Sequence, residues 1–162
     1  MDKEKSYKNK QNPALLKRSL ARLMAVQILY QKDFNSSNQN LDKIKNDVIE
    51  NYVLDCGDDI SSYKNKIDEK FLENLLSGVS MVETNLDEKI INNLKAGWSL
   101  KALEEPILQI LRCAIFELNY VKNVPAKVVL DEYVSIAASF FDSKKVTFVN
   151  AIIDKIAKDL KS

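Results

Sequence analysis

An all-α fold is predicted for this chain of 162 residues, and three observations point to it. Only three glycines and three prolines punctuate the sequence, so little interrupts long helices. Apolar residues recur at helical spacing over most of its length, and segments that alternate apolar with polar are few. The stretch from Pro125 to Leu160 shows the pattern most completely, as two amphipathic helices joined by a tight polar turn. A chain of this length buries a real core, either as one domain or as two small packed subdomains.

Residues 1–12 (MDKEKSYKNKQN) lack apolar periodicity and are expected to be a disordered basic arm, leaving 13–162 as a single helical domain. Pro13 opens the first helix, which runs from Leu15 to about Lys32. Its second half, through Met24, Val26, Ile28, Leu29 and Tyr30, is apolar on nearly every side and should be buried. Its first half carries Arg18 and Arg22 one turn apart on one face, where they could clamp successive phosphates. After a polar loop, Asn35 to Asn40, a short helix from Leu41 to Leu54 turns Leu41, Ile44, Val48 and Tyr52 inward. Cys56 to Ser62 loop around Gly57. A helix from Ile67 to Ser77 then presents Phe71, Leu72, Leu75 and Leu76, and Gly78 permits a close helix crossing or a change of direction.

Helical spacing continues through Val79, Val82, Leu86, Ile90, Ile91 and Leu94 and stops at Gly97 as a C-terminal cap. Trp98 follows, either packed at a hinge between subdomains or part of a partner surface. The most hydrophobic helix starts near Leu103 with Pro106 in its first turn, and it should be central. Within it Glu117 calls for a buried amide or an arginine, Arg112 being one candidate. Asn123 and Pro125 suit the start of the next helix, whose inward face reads Val129, Tyr133, Ile136, Ala137 and Phe140. Asp142 and Ser143 offer oxygens to the last helix, with Val149, Ile152, Ile153, Ile156 and Leu160 inward. Phe148 projects to the edge of that stripe, close to Lys144 and Lys145. An aromatic beside amines either stacks a base whose phosphates the amines hold or sits at the core boundary; spacing alone leaves both open.

Composition removes whole classes of chemistry. Histidine is absent, so imidazole serves nowhere as base, nucleophile partner or metal ligand. Cys56 and Cys113 stand alone, without the spacing of a zinc site or a redox pair, so reduced thiols and no metal or cofactor are expected. Neighbouring carboxylates such as Glu104 with Glu105 point to different sides of a helix and make no acid/base pair. No apolar run reaches the length of a membrane span and the N-terminus lacks a secretory signal, which predicts a soluble cytoplasmic protein. The net charge of +1 divides into +5 over residues 1–22 and −4 over the rest. Basic charge gathered at one end suits an arm that meets an anionic polymer, or a solubilising tail.

Five blocks of the chain, in order and at matching separations, resemble the NusB family of bacterial transcription antitermination factors over almost the whole length. They are RSLARLMAVQILYQ (Arg18 to Gln31), FLENLLSGV (Phe71 to Val79), LDEKI with Trp98 (from Leu86), ILRCAIFEL (Ile110 to Leu118), and VPAKVVLDEY with FVNAIID (Val124 to Tyr133, Phe148 to Asp154). The resemblance implies about seven helices in two packed bundles and a non-enzymatic role. That role is binding boxA-type single-stranded RNA with the ribosomal protein NusE, so that the transcription elongation complex reads through terminators, notably in ribosomal RNA operons. Residue by residue, it assigns RNA contacts to Lys17, Arg18 and Arg22 and to the aromatic Phe148, with Lys144 and Lys145 beside it. It suggests a NusE surface around Trp98, Glu105, Phe116 and Tyr120. Departures from the family pattern fall at Ser19, Leu20, Ile107, Leu108, Thr147 and Ala151. The expected geometry brings Phe148, Lys144 and Lys145 near Arg18 and Arg22 as one RNA surface. Two other roles fit the same residues: a NusB-like module acting with an RNA methyltransferase, and a structural helical adaptor or homodimer.

Overall fold

The structure is a computed structural model, and residues 13–34, 40–55 and 66–160 are described. Expectations for the basic arm 1–12, for the loop 35–39 and for Cys56, Gly57 and their neighbours lie outside those residues. The described residues form seven α-helices and no strand: α1 (Pro13–Phe34), α2 (Leu41–Asp55), α3 (Glu69–Met81), α4 (Glu83–Asn92), α5 (Glu105–Tyr120), α6 (Ala126–Phe140) and α7 (Ser143–Leu160), with one 3-10 turn at Leu100–Ala102. They gather into two compact units, 1–76 and 77–162.

In the first unit, α1 packs on α2. Its apolar second half is buried as its composition requires, with Met24, Ala25, Val26, Ile28 and Leu29 all inside, and Ile44 and Val48 of α2 are buried as well. Asn40 starts α2 by accepting the Asp42 amide at 3.1 Å, and Asp68 starts α3 by accepting the Phe71 amide at 3.0 Å. The helix therefore begins just after the Ile67 that the periodicity proposes. Lys45 of α2 is paired with Glu73 of α3.

In the second unit, α5 packs on α4, α6 and α7. Pro106 stands in its first turn, where a missing amide hydrogen leaves no bond unmade. Every residue from Ile107 to Glu117 is buried, so the most hydrophobic helix is the central one. Ile107 and Leu108, two of the departures from the resemblance, are thereby core residues. Helix α3 runs on through Gly78, and the close crossing is with Phe116: a Cβ on Gly78 would lie 2.1 Å from that ring. Gly97 takes the left-handed region at φ 88, but in the turn beyond α4 rather than as its immediate cap. Asn123 is also left-handed, at φ 69, and Pro125 caps α6 without a side-chain bond, so Asn123 shapes the turn instead of capping the helix. Asp142 does cap α7, accepting the Lys145 amide at 3.2 Å. Phe140 and Leu160, placed inward by spacing, are 43% and 47% exposed, each being the last residue of its helix.

Polar groups inside the second unit are matched. Arg112 donates from Nε and Nη2 to the two carboxylate oxygens of Asp87, at 2.7 and 2.9 Å, and its Nη1 lies 2.9 Å from Glu83. The Tyr133 hydroxyl donates to Glu117, a partner that the sequence spacing does not indicate. Between them Cys113 is fully buried. Burial first, and the Glu117 carboxylate second, push its thiol far above the ordinary range. Cys113 is accordingly expected to resist iodoacetamide at about pH 8 in the native protein and to react once urea unfolds the chain, as read by mass spectrometry of its peptide.

Candidate functional site

The residues singled out for RNA fall in two patches, one in each unit. In the first unit, Lys17 is exposed at the start of α1, and its carbonyl accepts the Asp68 amide at 3.2 Å. Arg18 remains accessible, its side chain 43% exposed. Its guanidinium stands 4.9 Å from the centre of the Phe71 ring and 3.7 Å from the Asp68 carboxylate. Those two contacts hold the head in place while leaving donors toward solvent. Arg22 lies over the same ring at 5.1 Å but is only 2% exposed. The two arginines do share a face and a ring, but the following turn carries Arg22 into the interior while Arg18 keeps its head accessible. Ser19 and Leu20 are partly covered.

Asp68 is the residue of this patch that sequence reasoning missed. It caps α3, is tied to the backbone of α1 and engages Arg18. A signal was present, since an aspartate three residues before Phe71 is a helix-start signature.

In the second unit, Phe148 is half-buried, at the boundary its 100° projection gives. Lys144 and Lys145 precede it by four and three residues, so the three share a face of α7. Lys144 is exposed. Lys145 is held: it pairs with Glu104, and its Nζ lies 5.1 Å from the Phe141 ring centre. The hydrogen bond that the ammonium donates to Glu104 raises the Lys145 pKa above the usual lysine value, and its charge is partly matched within the unit. Thr147 is exposed and bonds back to the Ser143 carbonyl at 2.8 Å, and Ala151 is exposed.

Trp98 meets this patch, its ring 6.3 Å from that of Phe148 with the planes at 32°. It thus lies against the aromatic singled out for RNA. Of the other residues of the expected NusE surface, Glu105 is exposed and accepts from Gln109 at 3.3 Å, and Tyr120 is 45% exposed. Phe116 is 5% exposed. It stacks on Tyr120, centroids 5.3 Å apart, and the tip of its ring fills the space left by Gly78. Phe116 therefore supports Tyr120 from the core and offers little surface of its own.

Among the described residues no group of acidic, cysteine or histidine side chains could hold a metal ion, and no helix is long and apolar enough to cross a membrane.

Comparison with known proteins gives these charges and rings a context. The NusB family pattern matches residues 19–158. A transcription antitermination protein NusB from Rhizobium etli (strain CIAT 652) is 45% identical over 65 residues, which are 40% of this chain and 41% of the relative. One from Maricaulis maris (strain MCS10) is 44% identical over 61 residues, 38% of each protein. The chain thus spans about two fifths of the length of the curated relatives it matches. Among solved structures it is similar to NusB of T. maritima, at 29% identity and a TM-score of 0.69, covering 87% of this chain and 90% of that one. A crystal structure of antitermination factors NusB and NusE in complex with dsRNA contains a chain of the same fold, at 21% identity and a TM-score of 0.69, covering 87% of this chain and 96% of that one.

Proposed function

The chain belongs to the NusB family, and from that membership we propose that it is a cytoplasmic RNA-binding transcription antitermination factor without chemistry of its own. It binds a boxA-type single strand together with the ribosomal protein NusE and so promotes read-through by RNA polymerase, notably in ribosomal RNA operons. A chain of the same fold was crystallised with NusE and dsRNA, which supports RNA and NusE as the classes of partner. The observation that favours RNA most is Phe148, kept at the surface of α7 with Lys144 and Lys145 on its own face.

Each residue then has a physical task. Lys17 and Arg18 neutralise phosphates, and Arg18 does so with a head already oriented by Phe71 and Asp68. Arg22 packs against Phe71 and acts on RNA through that scaffold. Phe148 stacks a base, which any base permits, so preference for boxA comes from the edges of unpaired bases. Lys144 is free of the Glu104 contact that holds Lys145 and meets phosphate first. Glu105 and Tyr120, the latter backed by Phe116, are offered to NusE.

A titration with boxA RNA and with a scrambled strand, each with and without NusE, tests this reading. Three phosphates neutralised by Lys17, Arg18 and Lys144 predict a loss of about 20-fold in affinity between about 50 and 200 mM salt. Arg18→Ala and Phe148→Ala should each weaken binding by about tenfold while leaving the fold intact. Equal affinity for the boxA and scrambled strands, with or without NusE, would remove the proposal.

A further inference from the structure

Trp98 is the only tryptophan of the chain and is 48% exposed, although burying so large a ring would contribute favourably to folding. Its position is nonetheless fixed. The Trp98 amide donates to the Lys95 carbonyl at 3.0 Å, Gly97 closes the turn at φ 88, and the 3-10 turn Leu100–Ala102 follows at once. An indole held outward by a tight turn is preorganised for contact.

The ring it touches is Phe148, so two aromatics from distant parts of the sequence form one exposed step. The 32° tilt and 6.3 Å separation leave no parallel slot for a base between them. The outward face of the indole is the open platform, with Phe148 as its buttress. Lys144, on the same face of α7 as Phe148 and outside the Lys145–Glu104 pair, places positive charge beside that platform, which suits a stacked nucleotide with its phosphate better than a protein side chain.

We infer that Trp98 is a base-stacking residue: its exposed indole face receives an unpaired base of single-stranded RNA, while Phe148 supports the ring and Lys144 meets the flanking phosphate. This rests on the RNA-binding reading above, and it moves Trp98 from the protein-partner surface to the nucleic-acid surface.

Because Trp98 is the sole tryptophan, its emission reports the event directly. The chain of 162 residues is titrated with a boxA single strand of about 12 nucleotides, following tryptophan fluorescence and, separately, anisotropy of a labelled strand. Quenching of Trp98 should track binding. Trp98→Ala should lose about tenfold in affinity and Trp98→Phe about threefold or less, since a smaller ring still stacks. Circular dichroism and melting of both variants check the fold, and quenching in the unmodified chain needs no variant at all. RNA binding that depends on Phe148 but neither quenches Trp98 nor weakens in Trp98→Ala overturns the inference and spares the RNA reading. Loss of NusE binding in Trp98→Ala with RNA affinity unchanged returns Trp98 to the protein surface. Absence of RNA binding by the unmodified chain, alone and with NusE, removes both.

Discussion

Gly78→Ala is expected to destabilise the protein by about 3 kcal/mol, the upper end of what overpacking a core produces. Two effects oppose each other here. Alanine is the better helix former by about 1 kcal/mol, and Gly78 lies inside α3, so propensity alone would make the variant more stable. The new methyl, however, would stand 2.1, 2.4 and 2.9 Å from three atoms of the Phe116 ring. That ring is buried and stacked on Tyr120, and it has no flexible end that could turn aside, so the steric effect wins. Urea denaturation should show the midpoint falling with little change in slope. Combining Gly78→Ala with Phe116→Leu should cost less than the sum of the single changes, because the atoms that clash are gone. A Gly78→Ala variant as stable as the unmodified chain would show that α3 and α5 separate more easily than the packing implies.

Arg112→Ala is the other large effect, expected at about 3–5 kcal/mol. The Arg112 side chain is 8% exposed and the Asp87 side chain 19%, so little water is at hand to replace the lost bonds. Removing the guanidinium leaves the Asp87 and Glu83 carboxylates one turn apart on α4 with their shared cation gone. Arg112→Lys keeps the charge but loses the two-pronged fit to Asp87, and it should fall about midway. Thermal and urea unfolding of the two variants, together with Asp87→Ala and the double variant, measure the coupling directly. A loss below about 1 kcal/mol in Arg112→Ala would place the pair with ordinary surface salt bridges.

Much of the fold was legible because helix periodicity is local. The inward faces of α6 and α7 were readable through Val129, Tyr133, Ile136, Val149, Ile152, Ile153 and Ile156, all of them buried, and the centrality of α5 followed from its unbroken apolar run. The errors sit where local pattern ends. Phe140 and Leu160 keep the stripe's spacing but fall at the ends of their helices and stay 43% and 47% exposed. Asn123 looks like a cap by residue type, yet its backbone turns left-handed. Arg22 and Phe116 look like surface residues in sequence, and only packing shows that the first is drawn over Phe71 and the second against Gly78. In the candidate site, the boundary position of Phe148 was readable from its angle on the helix, whereas its neighbour Trp98 was not, because nothing local connects the two.

By itself the sequence determined that the protein is helical, which faces of its helices turn inward, that imidazole chemistry is absent, and that basic charge gathers near its start. Those are properties of composition and of spacing within a few residues, and they hold however the helices assemble. Tertiary structure alone decided which charges are already matched. Arg112 is committed to Asp87, 25 residues away, and Lys145 to Glu104, 41 residues away, while Arg18 keeps an accessible head. The strength of a charge or a ring toward a ligand depends on what it already touches, and those partners come from distant segments that only the folded chain brings together.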